Sequence, residues 1–295
     1  MSDDPMLDGA DAHAHAGAKA HADIVERTIA RLRAAGCVFA EEEAGLLFGS
    51  GATGVALEAM VAHRVEGKPL EYILGWTWFC GLRIRVAKGV FVPRQRSALL
   101  VTEATAAIAA LPTHSAHGDE PSIVLDLCCG TGALGAAVRA SVEAAGGAIE
   151  VWAADLDPVA AECARTNLGL GADRVFSGDL FEPLPERLRG TLDIILCNTP
   201  YVPSSEIGML PPEARDHEPL AALDGGTDGL DVQRRVAAEA SAWLAPGGTL
   251  FVESSEHQAP ASAAIFASNG LEPRIVFDEE LGATIVAGRK PLDVS

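Results

Sequence analysis

No run of about 18 uncharged apolar residues occurs in the 295-residue chain, so the sequence offers no membrane-spanning helix. The first 22 residues also lack the apolar centre of a signal peptide, and a soluble, cytoplasmic protein is expected. No C-x-x-C pair is present. Cys128 and Cys129 are adjacent while Cys37, Cys80, Cys163 and Cys197 are scattered, so structural thiols are expected rather than disulfides, zinc ligands or redox pairs. Basic residues are few, 22 against 41 acidic ones, for a net charge of −19, and no Lys/Arg run occurs. Such a surface repels a nucleic-acid backbone and favours a basic or neutral partner. There is no internal repeat.

What is present reads as globular: 48% hydrophobic and 21% charged residues, enough to bury a substantial core. Residues 1–22 are polar and low in complexity, and are expected to form a disordered tail whose His13, His15 and His21 are solvated rather than metal ligands. From Asp23 the pattern turns helical. Val25, Ile29 and Leu32 fall at i, i+4 and i+7 before Gly36, and further helices are expected over Glu41–Phe48 and Thr53–Val65. Residues 23–74 thus form a small helical domain. Residues 75–92 carry β-formers punctuated by Gly75, Gly81 and Gly89, which predicts a β-hairpin linker.

Residues 93–290 alternate as an α/β sheet. Strands are expected at Ile123–Leu127, Ile149–Ala154, Arg174–Ser177, Asp193–Cys197, Thr249–Glu253, Arg274–Phe277 and Thr284–Ala287. Helical stretches separate the first five, whereas "DEELGA" is too short for a crossover. A mainly parallel sheet with its last strand antiparallel follows. Residues 291–295 are a tail.

The run "VLDLCCGTGALGAAV" places a strand before Gly130 and Gly132 and a helix after them. Glycine allows a ligand close to the backbone, and a helix N-terminus offers unpaired N–H groups. The spacing Gly130-x-Gly132-x-x-Gly135 also matches a dinucleotide fingerprint. Asp126 at the strand end would repel a pyrophosphate, however, and would welcome the cationic amino-acid part of S-adenosylmethionine. In "AADLDP", Asp155 ends the next strand where ribose hydroxyls would be held. In "SGDLFEP", Asp179 follows the third strand, placed for an adenine amino group. Each carboxylate alone would read as a loop or cap residue. Together and in order they make an adenosine site.

The apolar run "ILCNTPYVPS" ends abruptly in Asn198, Thr199, Pro200 and Tyr201, which is more than a chain reversal requires. Together with "GKPLEYILG", "GVFVPR", "AADLDP", "GDLFEPLP", "EARDHEPLAALDGGTDGLDVQRR" and "LAPGGTLFVE", these motifs resemble the HemK/PrmC-type protein glutamine methyltransferases. The resemblance spans about Lys68 to Lys290. It implies a class I S-adenosylmethionine-dependent α/β fold, a Rossmann-like seven-stranded sheet behind a helical substrate-recognition domain and a hairpin linker. It places Asp126, Cys128, Gly130, Gly132, Asp155, Leu156, Asp179, Leu180 and Asn198 at the cofactor. Phe91, Ser97, Asn198 and Tyr201 would meet the substrate, with Asn198, Thr199, Pro200 and Tyr201 as the catalytic motif. There the Asn198 side chain and the Thr199 carbonyl would accept from the target amide while Tyr201 packs on its plane. Two aimed acceptors favour a pyramidal nitrogen and stabilise the charge that methylation develops.

Departures from the family pattern bear on substrate identity. Thr199 stands where the family has proline, and Gln95, Arg96, Ser97 and Ala98 replace a proline, an acid, a threonine and a glutamate. Pro200 still biases residue 199 toward extended backbone, so retained geometry is expected. Cys128 and Cys129 replace small residues as packing variants. His217 and Glu218 are expected to order their loop by hydrogen bonding. The leading function is N-methylation of a glutamine amide in a protein, with the Gly-Gly-Gln loop of a release factor as the candidate partner. Alternatives are an exocyclic amine in nucleic acid, a small-molecule amine, and a cofactor-binding module without turnover. A monomer is expected.

Overall fold

The computed structural model describes residues 7–111 and 121–292, and the chain divides into two compact units between Leu74 and Gly75. In the first unit, helix α1 spans Leu7–Ala34, α2 Ala40–Gly49, α3 Gly54–Val65 and the short α4 Leu70–Leu74. Helix α1 therefore begins well before the Asp23 start and runs through most of the segment expected to be disordered. Alanine at every second position from Ala10 to Ala22 gives that stretch the highest intrinsic helix propensity. Residues 1–6 and the side chains of His13 and His15 lie outside the described part. Leu32, Ala44, Leu47, Leu57, Val61 and Leu70 form the core of this unit. A buried bidentate pair, Arg64 to Glu43 at 2.6 and 3.0 Å, joins α3 to α2.

The second unit opens with a hairpin, β1 (Trp76–Phe79) and β2 (Leu82–Arg85). Its two-residue turn has positive φ at both Cys80 (48°) and Gly81 (76°), the twist that antiparallel strands favour. A 3-10 turn at Gln95–Ser97 leads into α5 (Ala98–Ala109). Then follow β3 (Ser122–Leu127), α6 (Ala133–Ala144), β4 (Ile149–Asp155), α7 (Pro158–Leu168), β5 (Val175–Ser177) and β6 (Leu192–Cys197). The remainder is α8 (Pro212–His217), α9 (Asp231–Trp243), β7 (Leu244–Ser254), α10 (Ala259–Ser268), β8 (Glu272–Asp278) and β9 (Ala283–Arg289). Asn167 of α7 anchors the hairpin, accepting from the Arg85 N–H at 2.8 Å and donating to its carbonyl at 2.9 Å.

The seven strands lie in the order β5-β4-β3-β6-β7-β9-β8, with β9 antiparallel to both neighbours. Successive residues of each central strand face opposite sides, and both sides are buried, as parallel sheets covered by helices require. Val124, Ala153, Ile194 and Phe251 belong to one core; Leu125, Trp152, Ile195 and Leu250 belong to the other. Strand order reverses between β3 and β6, whose ends are in register at Leu127 and Cys197. That reversal opens a crevice at the carboxyl ends of the strands. No helix among the described residues is long and apolar enough to cross a membrane.

Candidate active site

Three loops at the ends of β3, β4 and β5 build one half of the crevice. Leaving β3, Cys128, Gly130 and Gly132 all take positive φ (55°, 54° and 74°). Strain of this kind in a non-glycine residue costs on the order of 1–3 kcal/mol and collects at functional sites. Gly130 has open space where a Cβ would stand, so a ligand can approach the backbone there. Gly132 instead packs against α7, where a Cβ would lie 3.0 Å from that of Ala164. At the third glycine a Cβ would stand 3.2 Å from the Asp126 carboxylate, which accepts the Gly135 N–H at 2.9 Å.

Asp126 is fully buried, and its carboxylate is turned inward to take an N–H of α6, which supports the loop from behind. Its Oδ1 has no partner among the described residues, and burial raises its pKa to about 8. Asp155 stands at the rim. It accepts from Gly130 N–H at 2.8 Å and Asp157 N–H at 2.9 Å, and burial again raises its pKa. The neighbouring Leu156 leaves 64% of its surface exposed, an apolar platform next to a carboxylate. Asp179 pairs with Arg235 of α9 at 2.7 Å, and Leu180 beside it takes φ of +49° while its side chain joins the core. An open glycine loop, a rim carboxylate and an exposed Leu156 fit an adenosine with an amino-acid tail. Cys129 and Cys197 are held as thiols, since burial pushes both well up.

The other half is built on the ends of β6 and β7. Asn198 leaves β6 at the switch point, and Thr199 behind it is buried with Oγ1 unpartnered among the described residues. The backbone that follows is strapped from three sides. Val202 N–H donates to Leu223 and Gly225 N–H to Val202, at 3.0 and 2.9 Å. Gln258 Nε2 donates to the carbonyls of Tyr201 and Asp228, both at 2.9 Å. Gly225 and Gly229 allow this approach: their Cβ atoms would stand 2.7 Å from the Pro200 oxygen and 2.2 Å from the Tyr201 oxygen.

The side chains of this half converge on Glu253 of β7, only 2% exposed. Tyr201 Oη donates to its Oε1 at 2.8 Å, and Arg96 Nε at 2.9 Å. Ser97 Oγ donates to Oε2, and Asn198 Nδ2 donates to Ser97 at 3.3 Å and to Oε2 at 3.4 Å. Arg96 also donates to Tyr201 Oη, and burial with the Glu253 charge raises the phenol's pKa. The structure thus brings together Ser97, Asn198 and Tyr201. Phe91 has a different neighbour, the Arg94 guanidinium 4.7 Å from its ring centre. Glu218 accepts from Arg94 Nη2 at 2.5 Å and Val92 N–H at 3.3 Å, so the post-motif loop is ordered by hydrogen bonding.

Glu253 and Gln258 went unremarked in the sequence. The only available sign was an acid ending a buried strand in "TLFVE". Arg96, read as a departure, is the charge partner of that acid.

The family described as "Methyltransferase small domain" matches residues 89–209. A release factor glutamine methyltransferase of Geobacter sulfurreducens is 36% identical over 217 residues, 73% of this chain and 70% of the relative. One from Gloeobacter violaceus is 38% identical over 216 residues, covering 72% and 70%. The chain belongs to this HemK/PrmC-type methyltransferase family. A further relative, from Streptomyces pristinaespiralis, is a 4-amino-L-phenylalanine/4-methylamino-L-phenylalanine methyltransferase, 36% identical over 71% of this chain and 69% of its own. Among solved structures, a release factor-specific protein-(glutamine-N5) methyltransferase from Alicyclobacillus acidocaldarius aligns at TM-score 0.40 and 23% identity, covering 68% of this chain and 94% of that one.

The methyltransferase uses S-adenosylmethionine, whose sulfonium supplies an electrophilic methyl group. Around it the chain's residues divide the work. The loop from Cys128 to Gly132, with Asp155, Leu156 and Asp179, would hold the donor on one side of the switch point. Asn198 and the Thr199 carbonyl would offer acceptors on the other. Placing both reactants across one crevice replaces a bimolecular encounter by an oriented one.

Proposed function

We propose that this methyltransferase acts in the cytoplasm on the side-chain amide of a glutamine in a protein, the Gly-Gly-Gln loop of a peptide chain release factor. One observation carries the reading: the Asn198 carboxamide donates its N–H inward to Ser97 and Glu253, which leaves its oxygen to accept an N–H from a substrate. An amide nitrogen is a weak nucleophile because its lone pair is delocalised. Aimed acceptors at its hydrogens localise that pair and stabilise the positive charge as it develops, after which the proton leaves readily. Tyr201 flanks the site with a neutral phenol. Arg96 and Glu253 cancel one another, so the acceptor side carries little net charge, which suits a neutral amide. The relatives named for release factor glutamine methylation support the substrate, and the net charge of −19 suits a basic, ribosome-directed partner better than a nucleic acid.

The S. pristinaespiralis relative favours a second reading, an aromatic amine on a small molecule. One experiment separates the two. The enzyme and methyl-labelled S-adenosylmethionine are incubated with unmethylated host release factor or with 4-amino-L-phenylalanine, beside an Asn198→Ala control. Label on the Gly-Gly-Gln glutamine, absent in the control, supports the protein substrate. Label only on the free amine overturns it.

A further inference from the structure

The donors of the acceptor half all end on one carboxylate, two on each of its oxygens. Arg96 Nε and Tyr201 Oη donate to Glu253 Oε1, while Ser97 Oγ and Asn198 Nδ2 donate to Oε2. A carboxylate accepts at both oxygens and donates at neither. The two ends of an asparagine carboxamide are nearly the same size, so packing alone does not choose between its two flips. Only a partner with one hydrogen-bonding sense makes that choice.

We propose that Glu253 is a positioning residue that fixes the flip of Asn198, turning its nitrogen inward and its oxygen toward the substrate, and so selects acceptors that bring an N–H. The proposal rests on the reading that Asn198 receives that N–H. Arg96 completes the device. It occupies Oε1 together with Tyr201 and so reserves Oε2 for Ser97 and Asn198, while balancing the charge of a nearly buried acid. The arginine at this position therefore serves the acceptor side rather than redirecting it.

This geometry predicts what Glu253→Gln does. Arg96 has no acceptor atom and would demand the oxygen of the new amide, so its nitrogen would face Ser97 and Asn198. Asn198 then flips its oxygen inward to meet that nitrogen and presents N–H groups to the substrate, a donor against a donor. Arg96 is 45% exposed at its side chain, so water sustains its charge and the variant folds.

Restoring an acceptor on both ends of residue 198 undoes the damage. In Glu253→Gln/Asn198→Asp, one oxygen of the carboxylate at position 198 takes the N–H of the amide at position 253, and the other faces the substrate. Asn198→Asp alone instead sets two carboxylates against each other and is impaired. Each substitution thus rescues the other, which a merely structural role for Glu253 does not produce.

The test measures labelling of unmethylated release factor and of 4-amino-L-phenylalanine by the wild type, Glu253→Gln, Asn198→Asp, the double variant and Asn198→Ala, with S-adenosylmethionine binding followed by calorimetry. Whichever acceptor the wild type labels, kcat for Glu253→Gln is expected to fall about 10-fold or more, a size comparable with losing one aimed polar contact at a reaction centre. Cofactor affinity should stay within about 2-fold, because a group that contacts only the acceptor side contributes no binding energy to the donor. The double variant should exceed both singles. A double variant no faster than Glu253→Gln, or a Glu253→Gln enzyme with wild-type kcat, overturns the proposal while leaving the substrate assignment intact. Asn198→Ala with full activity overturns the underlying reading instead. Independently of any acceptor, the Asn198 amide protons should show a nuclear Overhauser contact to the Ser97 β-protons in the wild type and lose it in Glu253→Gln. Absence of that contact in the wild type also refutes the flip.

Discussion

Thr199 carries a hydroxyl that the site has no use for. It is 2% exposed, and its Oγ1 has no partner among the described residues. A buried, unpaired polar group costs about 1–3 kcal/mol of desolvation that nothing returns. Thr199→Val removes the hydroxyl, keeps the β-branch and its χ1 preference, and changes the volume little. The gain should be about 1–2 kcal/mol, toward the lower end because a small hydroxyl is the cheapest such group to bury. At roughly 2–4 °C per kcal/mol for a domain of this size class, the melting temperature should rise by about 2–8 °C. Thermal unfolding and urea midpoints at an unchanged m-value measure this. Turnover should stay close to wild type, since the role proposed for residue 199 uses its backbone carbonyl. An unchanged or lower melting temperature would show that the hydroxyl is paired in solution, and a collapse of turnover would show that it touches the acceptor.

Asp126 sets a pH dependence. Its pKa is raised from an ordinary 3.8 to about 8 by burial, so between those values the folded state keeps a proton that the unfolded state gives up. Stability of the wild type relative to Asp126→Asn should therefore fall as pH rises from about 4 to about 8, by at most about 6 kcal/mol. Denaturant titrations across that range check it, and a difference that stays flat with pH refutes it. Gly229→Ala is a steric test of the strap behind Tyr201. With φ of +80° and a Cβ 2.2 Å from the Tyr201 oxygen and 2.3 Å from Gln258 Nε2, it must displace both. Methyl transfer should fall about 10-fold or more, while calorimetry should find S-adenosylmethionine affinity little changed, since a small misplacement of an acceptor is costly.

The sheet was legible because its cause is local. The seven strands read as short runs bounded by turn residues, and all seven lie where the runs place them, with most ends shifted by one or two residues. The larger shift is at β7, which starts at Leu244 rather than Thr249, because "APGG" continues the pairing irregularly with β6. "DEELGA" joins β8 and β9 in the antiparallel hairpin its length demands. Helix α1 reaches back to Leu7 because alanine propensity outweighs the polar, low-complexity appearance of the segment. The five-residue α4 is too short to show a period.

Residue types and order by themselves determined the fold class, the three acidic strand ends, the glycine loop and the Asn-Thr-Pro-Tyr motif. Folding alone decided which way those groups face. Asp126 shows in the sequence only as an acid at a strand end, and the strand turns it inward to Gly135. Arg96 reads as a foreign charge until it meets Glu253, 157 positions away, where Ser97 at 156, Asn198 at 55 and Tyr201 at 52 also arrive. Periodicity and propensity are written in neighbouring residues and can be read one window at a time. A hydrogen bond has a direction and a partner, and both exist only once β3, β6 and β7 lie side by side.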